Sequence, residues 1–392
     1  MTTLIDTLIV IHGTEPFHGA NFEFAYRALA EELPPNAAVI CVERPVDLIS
    51  APIKRPRLFL HGIWSTRIET IHPRLVVVRP RLPIHEILAS RSRVAVTGNT
   101  RMMRRQLRAV FGNLFPSFSR VITWIHHPQQ AWTWDMFPDG GRVYHCYDEY
   151  TRTSMGQLRP GVRDREIPVL QRAEITFVTA DSLAESRRLH AARLEMFPNG
   201  IPDFFLDRVA EITDPIDHIP IPRIGYLGQT YDFLMYDELL SVFERQPSWQ
   251  LVMIGGKRRI SGVQALERLP NVHFVGRRPH HSLPAVLPKL DVALLPVRRN
   301  PYTHGSAFLK IYAYMAAGIP IVSTALDGIA PVLNHCHVAG ENGDELEARI
   351  HEALSVDRNQ TRRQLREAVK EYTWTKICRD RIVPVVREIF SF

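Results

Sequence analysis

NPYTHGSAFLKIYAYMAAGIPIVST, residues 300–324, decides the fold, because it predicts a loop, a helix and a short buried strand in succession. Ser306 is predicted as the N-cap of the helix and Gly318 as its end, and the strand begins beside Pro320. Apolar side chains recur at the spacing of one helix face, at Phe308, Ile311, Tyr312 and Met315. The segment therefore predicts one αβ unit of a larger α/β fold.

The start of this predicted helix is a candidate phosphate site. Backbone N–H groups at a helix start lack partners and attract an anion. Three residues form this start: His304, Gly305 and Ser306. Lys310, one turn further on, adds a positive charge. Arg298 and Arg299 on the preceding loop are further candidates, and a solvated surface pair is the alternative for them.

The composition indicates a two-domain globular protein with anionic partners. The chain has 392 residues, 45% of them hydrophobic and 23% charged, and a formal net charge of +7. This charge favours nucleotide-sugars, lipid-linked diphosphates or phospholipid surfaces, while no motif supports nucleic-acid binding. The four cysteines are scattered, which is typical of reduced thiols. Because we find no signal peptide and no bilayer-length apolar run, we expect a cytoplasmic location.

Strand-like and helix-like segments alternate along the chain, which is the pattern of doubly wound parallel sheets. One series runs from TLIVIHG, at residues 7–13, to EITFVTA, at residues 174–180. A second series begins with PRIGYLGQ, at residues 222–229. The segment Asp203–Pro222 between them is rich in proline and aspartate and has no clear period, so it predicts an interdomain linker.

Several segments resemble glycosyltransferases with the GT-B fold. KIYAYMAAGIPIVST resembles their donor-binding signature, and PRIGYLGQTYD, LVMIGG and NVHFVGRRPHHSLPAVLPKLDVALLPV resemble, in order, the strands and loops before it. In the first half, ICVERP, VYHCYDEYT and MFPNGIPDFF resemble group 1 bacterial exopolysaccharide and cell-wall enzymes of the teichuronic-acid and xanthan glucuronosyltransferase types. The resemblance covers nearly the whole chain, patchily in the first half.

The resemblance implies two Rossmann-like domains that face a cleft. The expected boundaries are an acceptor domain at residues 1–205, a linker at 206–220, a nucleotide-sugar donor domain at 221–373, and a helix at 374–392 that crosses back to the first domain. The expected reaction moves a sugar from a UDP- or GDP-sugar to a polysaccharide or lipid-linked saccharide. We expect no cofactor and no metal ion, because no DxD-like pair follows a strand.

The resemblance also implies which residues bind the donor. Glycine loops in the second half let the backbone approach the sugar or the phosphates closely, and a loop after the strand NVHFVG contacts the base. The donor residues expected in these loops are Gly228, Gly255, Lys257, Gly276 and Arg277. They would act together with the helix start and Lys310.

One departure from the family pattern affects the expected mechanism. Many retaining members carry two glutamates with seven residues between them, and the matching positions here are Gly305 and Ala313. Glycine has no side chain, and the methyl group of alanine cannot accept a hydrogen bond from a sugar hydroxyl. The retaining mechanism therefore does not transfer to this chain.

Side chains at strand ends are candidates for catalysis. Asp148 and Glu149 follow the strand-like RVYHCY, at the carboxyl end where α/β active sites collect, and Asp148 matches the family's acidic position. We expect Asp148 to be the general base of an inverting transfer, and capping of the next helix is the alternative. His127 follows another strand. It and three further histidines are either structural or part of a proton-handling rim: His12, His18 and His126.

Residues 101–115, RMMRRQLRAVFGNLF, predict a basic amphipathic helix. One face carries Met103, Leu107, Val110, Phe111 and Leu114, and the opposite face carries Arg101, Arg104, Arg105 and Arg108. Such a helix is suited to an anionic membrane interface. The alternative is an apolar face that packs on the core and a charged face in solvent.

Two other functions fit the same features. A nucleotide-sugar 2-epimerase shares the fold, and it would convert the sugar of its donor without an acceptor. A catalytically silent sugar-nucleotide-binding protein would explain the missing glutamates, and it would bind donors without turnover.

Overall fold

The computed structural model describes residues 4–18, 22–47, 66–85, 92–207 and 212–392. Residues 19–21, which follow the first predicted strand, and residues 208–211 of the predicted linker lie outside these ranges. Within the described ranges, each half of the chain builds one large sheet, and the first half adds a two-stranded sheet. The predicted α/β class with two doubly wound sheets is confirmed.

The described part of the first half contains ten strands, eight of which form one sheet. In chain order its strands are β1 (Thr7–His12), β2 (Ala37–Val42), β3 (Val46–Asp47), β4 (Arg67–His72), β5 (Leu75–Arg79), β6 (Arg81–Leu82), β7 (Arg120–Ile125), β8 (Gly141–Cys146), β9 (Ile175–Val178) and β10 (Leu194–Met196). The sheet order is β10-β9-β8-β7-β1-β2-β5-β4, with only β4 antiparallel to its neighbour, and β3 pairs with β6 separately. Every residue of β1 and β2 is buried, as expected for parallel strands that are covered on both faces.

The second half forms a six-stranded parallel sheet. Its strands are β11 (Arg223–Leu227), β12 (Gln250–Ile254), β13 (Val272–Gly276), β14 (Val292–Leu295), β15 (Ile321–Thr324) and β16 (His337–Ala339). Their order is β13-β12-β11-β14-β15-β16, so successive strands are added on one side of β11 up to β13 and on its other side from β14 onward. In open α/β sheets, ligands bind outside the carboxyl ends of the strands at such a switch point.

Helices cover both sheets. In chain order they are α1 (Glu23–Glu32), α2 (Arg93–Leu114), α3 (Val162–Arg172), α4 (Asp181–Arg187), α5 (Tyr236–Arg245), α6 (Ser261–Leu266), α7 (Leu283–Val286), α8 (Pro301–Gly305), α9 (Lys310–Ala317), α10 (Gly343–Ser355), α11 (Arg358–Ala368), α12 (Trp374–Ile377) and α13 (Val383–Phe390). Among the described residues, no helix combines the length and apolar character that crossing a bilayer requires.

The predicted start of the helix in residues 300–324 is wrong. Asn300 caps a short helix, α8, because its side-chain oxygen accepts the backbone N–H groups of Tyr302 and Thr303. Ser306 then adopts an extended conformation as the C-cap of α8, and a second helix, α9, begins only at Lys310. The end at Gly318 is confirmed, since this glycine adopts the left-handed conformation at φ 69°.

The amphipathic segment lies in α2, whose apolar face packs on the first sheet. Met103, Leu107, Val110 and Phe111 are buried with residues of β1, β2 and β5, so the core-facing alternative is correct for this face. Leu114, which was expected on the same face, is instead 41% exposed at the end of the helix.

The last helices return to the first sheet. Trp374, Ile377, Ile382 and Val386 are buried in the same apolar cluster as Ile9 of β1. A backbone bridge joins Ile201 to Thr373, and Arg379 pairs with Glu32 of α1 at 2.7 Å. The end of the chain therefore ties the two halves together.

Candidate active site

Three neighbouring strands of the second sheet end in glycines with positive φ. Gly228 and Gly255 follow β11 and β12 at φ 136° and 147°, and Gly276 ends β13 at φ 76°. A Cβ on Gly255 would lie 2.0 Å from the carbonyl oxygen of Gly228, so the two loops touch through bare backbone. The structure thus brings together three of the predicted donor residues in a row, which we call the glycine edge.

The Lys310 ammonium lies over one end of the glycine edge. A Cβ on Gly228 would lie 2.7 Å from Lys310 Nζ, and Nζ donates to Tyr226 Oη at 2.8 Å. Nζ also lies 4.2 Å from the centre of the Tyr226 ring. No carboxylate of the described chain pairs with it. Burial lowers the pKa of Lys310 to about 7, because a desolvated ammonium without a counter-charge is unfavourable.

Free backbone donors lie at the start of α9. The N–H groups of residues 307–310 find no acceptor within the described ranges. They lie at the positive end of a helix dipole, whose N-cap is Leu309, three residues later than the predicted N-cap Ser306. The arrangement has the donor groups and the charge that a diphosphate requires.

The other predicted cations differ in whether a carboxylate already pairs with them. The side chain of Arg277 reaches back over the glycine edge, where a Cβ on Gly256 would lie 3.0 Å from its Nε. Lys257, by contrast, forms an ion pair with Glu267. Arg298 and Arg299 pair with Glu238 and Glu341 at 3.0 and 2.8 Å, which is the surface-pair alternative. His304 Nδ1 lies 3.2 Å from Asp327 Oδ1.

Asp148 joins the two halves of the molecule. Its Oδ1 accepts from Ser306 Oγ at 2.8 Å, and its Oδ2 accepts from Tyr302 Oη at 3.1 Å. Burial raises its pKa, although these hydroxyls and the Glu149 N–H favour the charged form. The next helix, α3, begins only at Val162 with Gly161 as its N-cap, so Asp148 caps no helix.

Glu149 faces away from this contact. Arg187, whose side chain is fully buried, donates to both of its oxygens at 2.7 and 3.0 Å, and to Glu166 at 3.2 Å. Burial opposes the charge of Glu149, but the hydrogen bonds from Arg187 and Thr151 outweigh it and lower the pKa. Glu149 therefore has the geometry of a structural ion pair.

Glu149 also shows why the family's first glutamate is absent. A Cβ on Gly305 would lie 2.9 Å from Glu149 Cβ and 3.0 Å from Leu183 Cδ2. Helix α8 packs against α4 at this point, with only a glycine between them. The second position, Ala313, is 6% exposed inside the core of the second half.

Three of the four predicted histidines, all but His12, have side-chain hydrogen-bond or ion-pair partners within the described chain. His127 Nδ1 accepts from the Gln129 N–H at 3.1 Å as a helix cap, and its ring lies 4.7 Å from that of Tyr150. Burial, together with Arg159 and Arg165, lowers its pKa to about 4. His12 and His126 are fully buried, and burial lowers their pKa values to about 3 and about 4. His18 lies at the surface, 2.9 Å from Glu69.

Two site residues were missed by the sequence analysis. Tyr226 accepts the Lys310 hydrogen bond, and Tyr302 donates to Asp148. Tyr302 is the second residue after the N-cap Asn300, so recognising α8 would have drawn attention to it. Tyr226 lies within β11, where a tyrosine reads as an ordinary core residue.

Comparison with known proteins identifies the second half. Residues 222–356 match the family of glycosyl transferases group 1. The putative teichuronic acid biosynthesis glycosyltransferase TuaH of Bacillus subtilis is 23% identical over 295 residues, which cover 68% of this chain and 72% of that protein.

Solved structures share the fold over the whole chain. Sucrose-phosphate synthase from Thermosynechococcus elongatus superimposes with a TM-score of 0.70 at 16% identity, over 98% of this chain and 99% of that one. A glycosyltransferase from Rickettsia africae gives 0.69 at 9% identity, over 98% and 99%. An E. coli trehalose-6-phosphate structure bound with UDP-2-fluoro glucose gives 0.68 at 11% identity, over 99% of both chains. The solved structures therefore show the GT-B fold over the whole chain, and residues 222–356 are a group 1 glycosyl transferase domain.

Proposed function

We propose that the glycine edge and the start of α9 bind the diphosphate of a nucleotide-sugar donor. The observation that carries this proposal is Lys310, which is half-buried and whose ammonium lies against the Gly228 loop with no carboxylate partner among the described residues. A partly desolvated charge without a counter-charge is unfavourable, so an anionic ligand would remove that cost. The UDP-sugar seen in the E. coli neighbour supports a donor of this class.

The same groups suit the chemistry of the leaving group. Transfer breaks the bond between the anomeric carbon and the diphosphate oxygen, and negative charge grows on that oxygen. Lys310, the N–H groups of residues 307–310 and the nearby Arg277 would stabilise this charge as preorganised donors. The transfer therefore needs no metal ion for leaving-group stabilisation.

Asp148 is the proposed general base of an inverting transfer. It lies at the carboxyl end of β8, and its carboxylate faces the second half through Ser306 and Tyr302. The acceptor hydroxyl would give its proton to this carboxylate as its oxygen attacks the anomeric carbon from the face opposite the leaving group. The absence of a side chain at Gly305 supports a mechanism without the retaining glutamate.

The acceptor is a saccharide or a lipid-linked saccharide. The first half would bind it, and the second half would bind the donor. The relative TuaH is described as acting in teichuronic acid biosynthesis, which supports a cell-envelope polysaccharide as the acceptor class. An anionic membrane would be a fitting location for a lipid-linked acceptor. The exposed arginines of α2 have no ion-pair partner among the described residues and could contact its headgroups.

Calorimetry with a panel of UDP- and GDP-sugars tests the donor proposal. We expect one nucleotide-sugar to bind, and Lys310→Ala to weaken that binding. Incubation of the binding donor with saccharide acceptors should then yield free nucleotide and a new glycoside. Conversion of the donor's sugar without an acceptor would indicate the epimerase, and binding without any turnover would indicate the silent binding protein.

A further inference from the structure

A small cavity beside Asp148 has no role in the donor site. It lies at the carboxyl ends of β1 and β2 and is closed on one side by Tyr147, the residue before Asp148. The lining residues that matter for its chemistry are Thr14, Glu15, Phe17, Phe22, Glu43 and Tyr147. Because Tyr147 precedes Asp148 in the chain, the cavity lies next to the proposed general base.

One wall of the cavity is aromatic. The rings of Phe22 and Tyr147 lie 4.8 Å apart at 53°, and Phe17 is buried beside them. Aromatic faces carry partial negative charge, which attracts the weakly positive C–H face of a pyranose ring. A sugar ring is thus a suitable occupant for this wall.

The lining also offers hydroxyl and carboxylate groups. Thr14 Oγ1 and Tyr147 Oη lie 2.7 Å apart. Glu43 is buried, accepts the Phe17 N–H at 2.8 Å and pairs with Arg79. Glu15 is exposed and has no ion pair within the described ranges. These groups can accept hydrogen bonds from sugar hydroxyls.

The charged residues that line the cavity, Glu15 and Glu43, are both acidic. Two arginines near them are paired, Arg79 with Glu43 and Arg27 with Glu23 at 2.9 Å. The buried histidines beneath the cavity are neutral, since burial lowers their pKa values. Glu15 is thus a carboxylate without a cation to balance it. This local charge is opposite in sign to the net charge of the whole chain.

We propose that this cavity binds the acceptor sugar and selects an uncharged sugar over an anionic one. A uronate carboxylate in the cavity would face Glu15 and Glu43 with no unpaired cation among the described lining residues, so like charges would repel it. A neutral sugar would keep the stacking and the hydroxyl hydrogen bonds. The proposal rests on the proposed function, because it assigns the acceptor side of the same reaction.

Ligand-observed NMR with simple glycosides tests the charge selection. The probes are the methyl glycosides of glucose, galactose and mannose and the corresponding methyl glycosides of their uronates, each added to the protein at neutral pH. For at least one sugar pair, we expect the neutral glycoside to bind at least ~10-fold more tightly than its uronate, as one unfavourable charge contact typically costs. Equal binding of the two members of every pair, or no binding by any neutral glycoside, would overturn the proposal.

Two variants locate the effect in the cavity. Glu15→Gln keeps the size of the side chain and removes its charge, so the preference for the neutral member of the pair should fall several-fold. Tyr147→Phe removes one hydroxyl and should weaken the neutral glycoside. Glu31→Gln, an exposed glutamate of α1, is the matched control and should leave the preference unchanged. A preference that persists in Glu15→Gln would contradict the assignment.

Calorimetry with nucleotide-sugars on the same samples separates the two proposals. If the protein binds a nucleotide-sugar but shows no preference between neutral and uronate glycosides, only the acceptor inference fails. If it binds glycosides with the expected preference but no nucleotide-sugar, the donor proposal fails instead.

Discussion

Lys310 is the residue whose environment most clearly requires a ligand. A charged hydrogen bond to a diphosphate is typically worth about 1.5–3 kcal/mol, so Lys310→Ala should weaken nucleotide-sugar binding by that amount. Because the pKa of Lys310 is lowered to about 7, the free protein loses this proton as pH rises through neutrality. The diphosphate binds the protonated form, and its affinity should therefore fall between about pH 7 and pH 9. Calorimetric titrations across this range measure both effects.

Two further variants control this experiment. Lys310→Arg keeps a positive charge at all these pH values, so the decline in affinity above pH 7 should disappear. Lys370→Ala removes an exposed lysine that pairs with Glu367, and its binding curve should match the wild type. If Lys310→Ala binds the donor normally, Lys310 does not belong to the site.

The contacts of Asp148 fit two roles: a general base, or a structural link between the two halves of the molecule. As a general base it should contribute about 10²–10⁴-fold to turnover, so Asp148→Asn should lower the rate by that factor with little change in donor affinity. NMR of the product should show an inverted anomeric configuration. Ser306→Ala distinguishes the two roles, because it breaks the link at Asp148 Oδ1 and leaves the carboxylate in place.

A rate in Ser306→Ala as low as that in Asp148→Asn would assign Asp148 to holding the halves together. Retained configuration in the product would also remove it as the base. Glu149→Gln is not a suitable control here, since it would leave the buried Arg187 without its closest partner.

At this scale, the sequence could predict the placement of residues that follow from a strand end or from a position in a motif. Gly228, Gly255 and Gly276 lie in a row because each follows a strand, and strand ends can be read from a pattern. The partner of Asp148 could not be read in this way, because Ser306 lies 158 residues further along the chain. Likewise, nothing local to Glu149 indicates the buried arginine 38 residues away.

At the scale of elements, the helix in residues 300–324 shows where local pattern fails. Asn300 and Ser306 are both good N-cap residues, and the apolar spacing from Phe308 onward fits a single helix after Ser306. The structure uses Asn300, whose oxygen accepts two N–H groups, and Ser306 turns to Asp148 instead. Because Ser306 makes a tertiary contact, its role could not follow from the helix pattern alone.

Helix α2 carries the prediction that belongs to this scale. Its apolar face is committed to the core, whereas Arg101, Arg105 and Arg108 are exposed and Arg104 is half-buried. Each arginine near an anionic membrane contributes about 1 kcal/mol, so replacing all four with glutamine should release the protein from vesicles rich in phosphatidylserine. Co-sedimentation at low and high salt measures this binding, which salt should weaken.

A second variant with the same change in net charge controls for non-specific attraction. It replaces four exposed arginines outside α2 with glutamine: Arg188, Arg268, Arg362 and Arg363. This variant should bind vesicles better than the α2 variant, and both should bind nucleotide normally. Equal binding by the wild type and the α2 variant would show that α2 is not the contact.

At the scale of the whole molecule, the proposed site would stabilise the leaving diphosphate with groups of the protein alone. We therefore expect turnover to persist in excess EDTA, and the assay is release of free nucleotide with and without the chelator. Loss of turnover on chelation, with recovery when a divalent cation is returned, would contradict this account.

The two sheets and their order of elements were predictable from alternating segments, but their contact through α8 and α4 was not, because it depends on a glycine that fits between two helices.

The buried histidines of the first half make stability depend on pH. His12, His126 and His145 are fully buried, and burial lowers their pKa values, to about 3 for His12 and about 4 for His126. In the unfolded chain the pKa of a histidine is about 6.5, so below that pH the unfolded state binds protons that the folded state does not. The free energy of unfolding should therefore fall as pH drops from about 6.5 toward 4, by about 1.4 kcal/mol per pH unit for each histidine.

Urea unfolding at pH 7.5, 6.5 and 5.5, followed by tryptophan fluorescence, measures this dependence. His145→Phe is the informative variant, because the His145 ring stacks on Phe197 at 4.6 Å and its Nε2 has no hydrogen-bond partner. A phenyl ring keeps the stacking and removes one titrating group, so about a third of the slope that the three histidines produce should disappear. His281→Gln removes an exposed histidine and should leave the slope unchanged. A slope that is the same in the wild type and in His145→Phe would show that His145 is not held neutral in the folded protein.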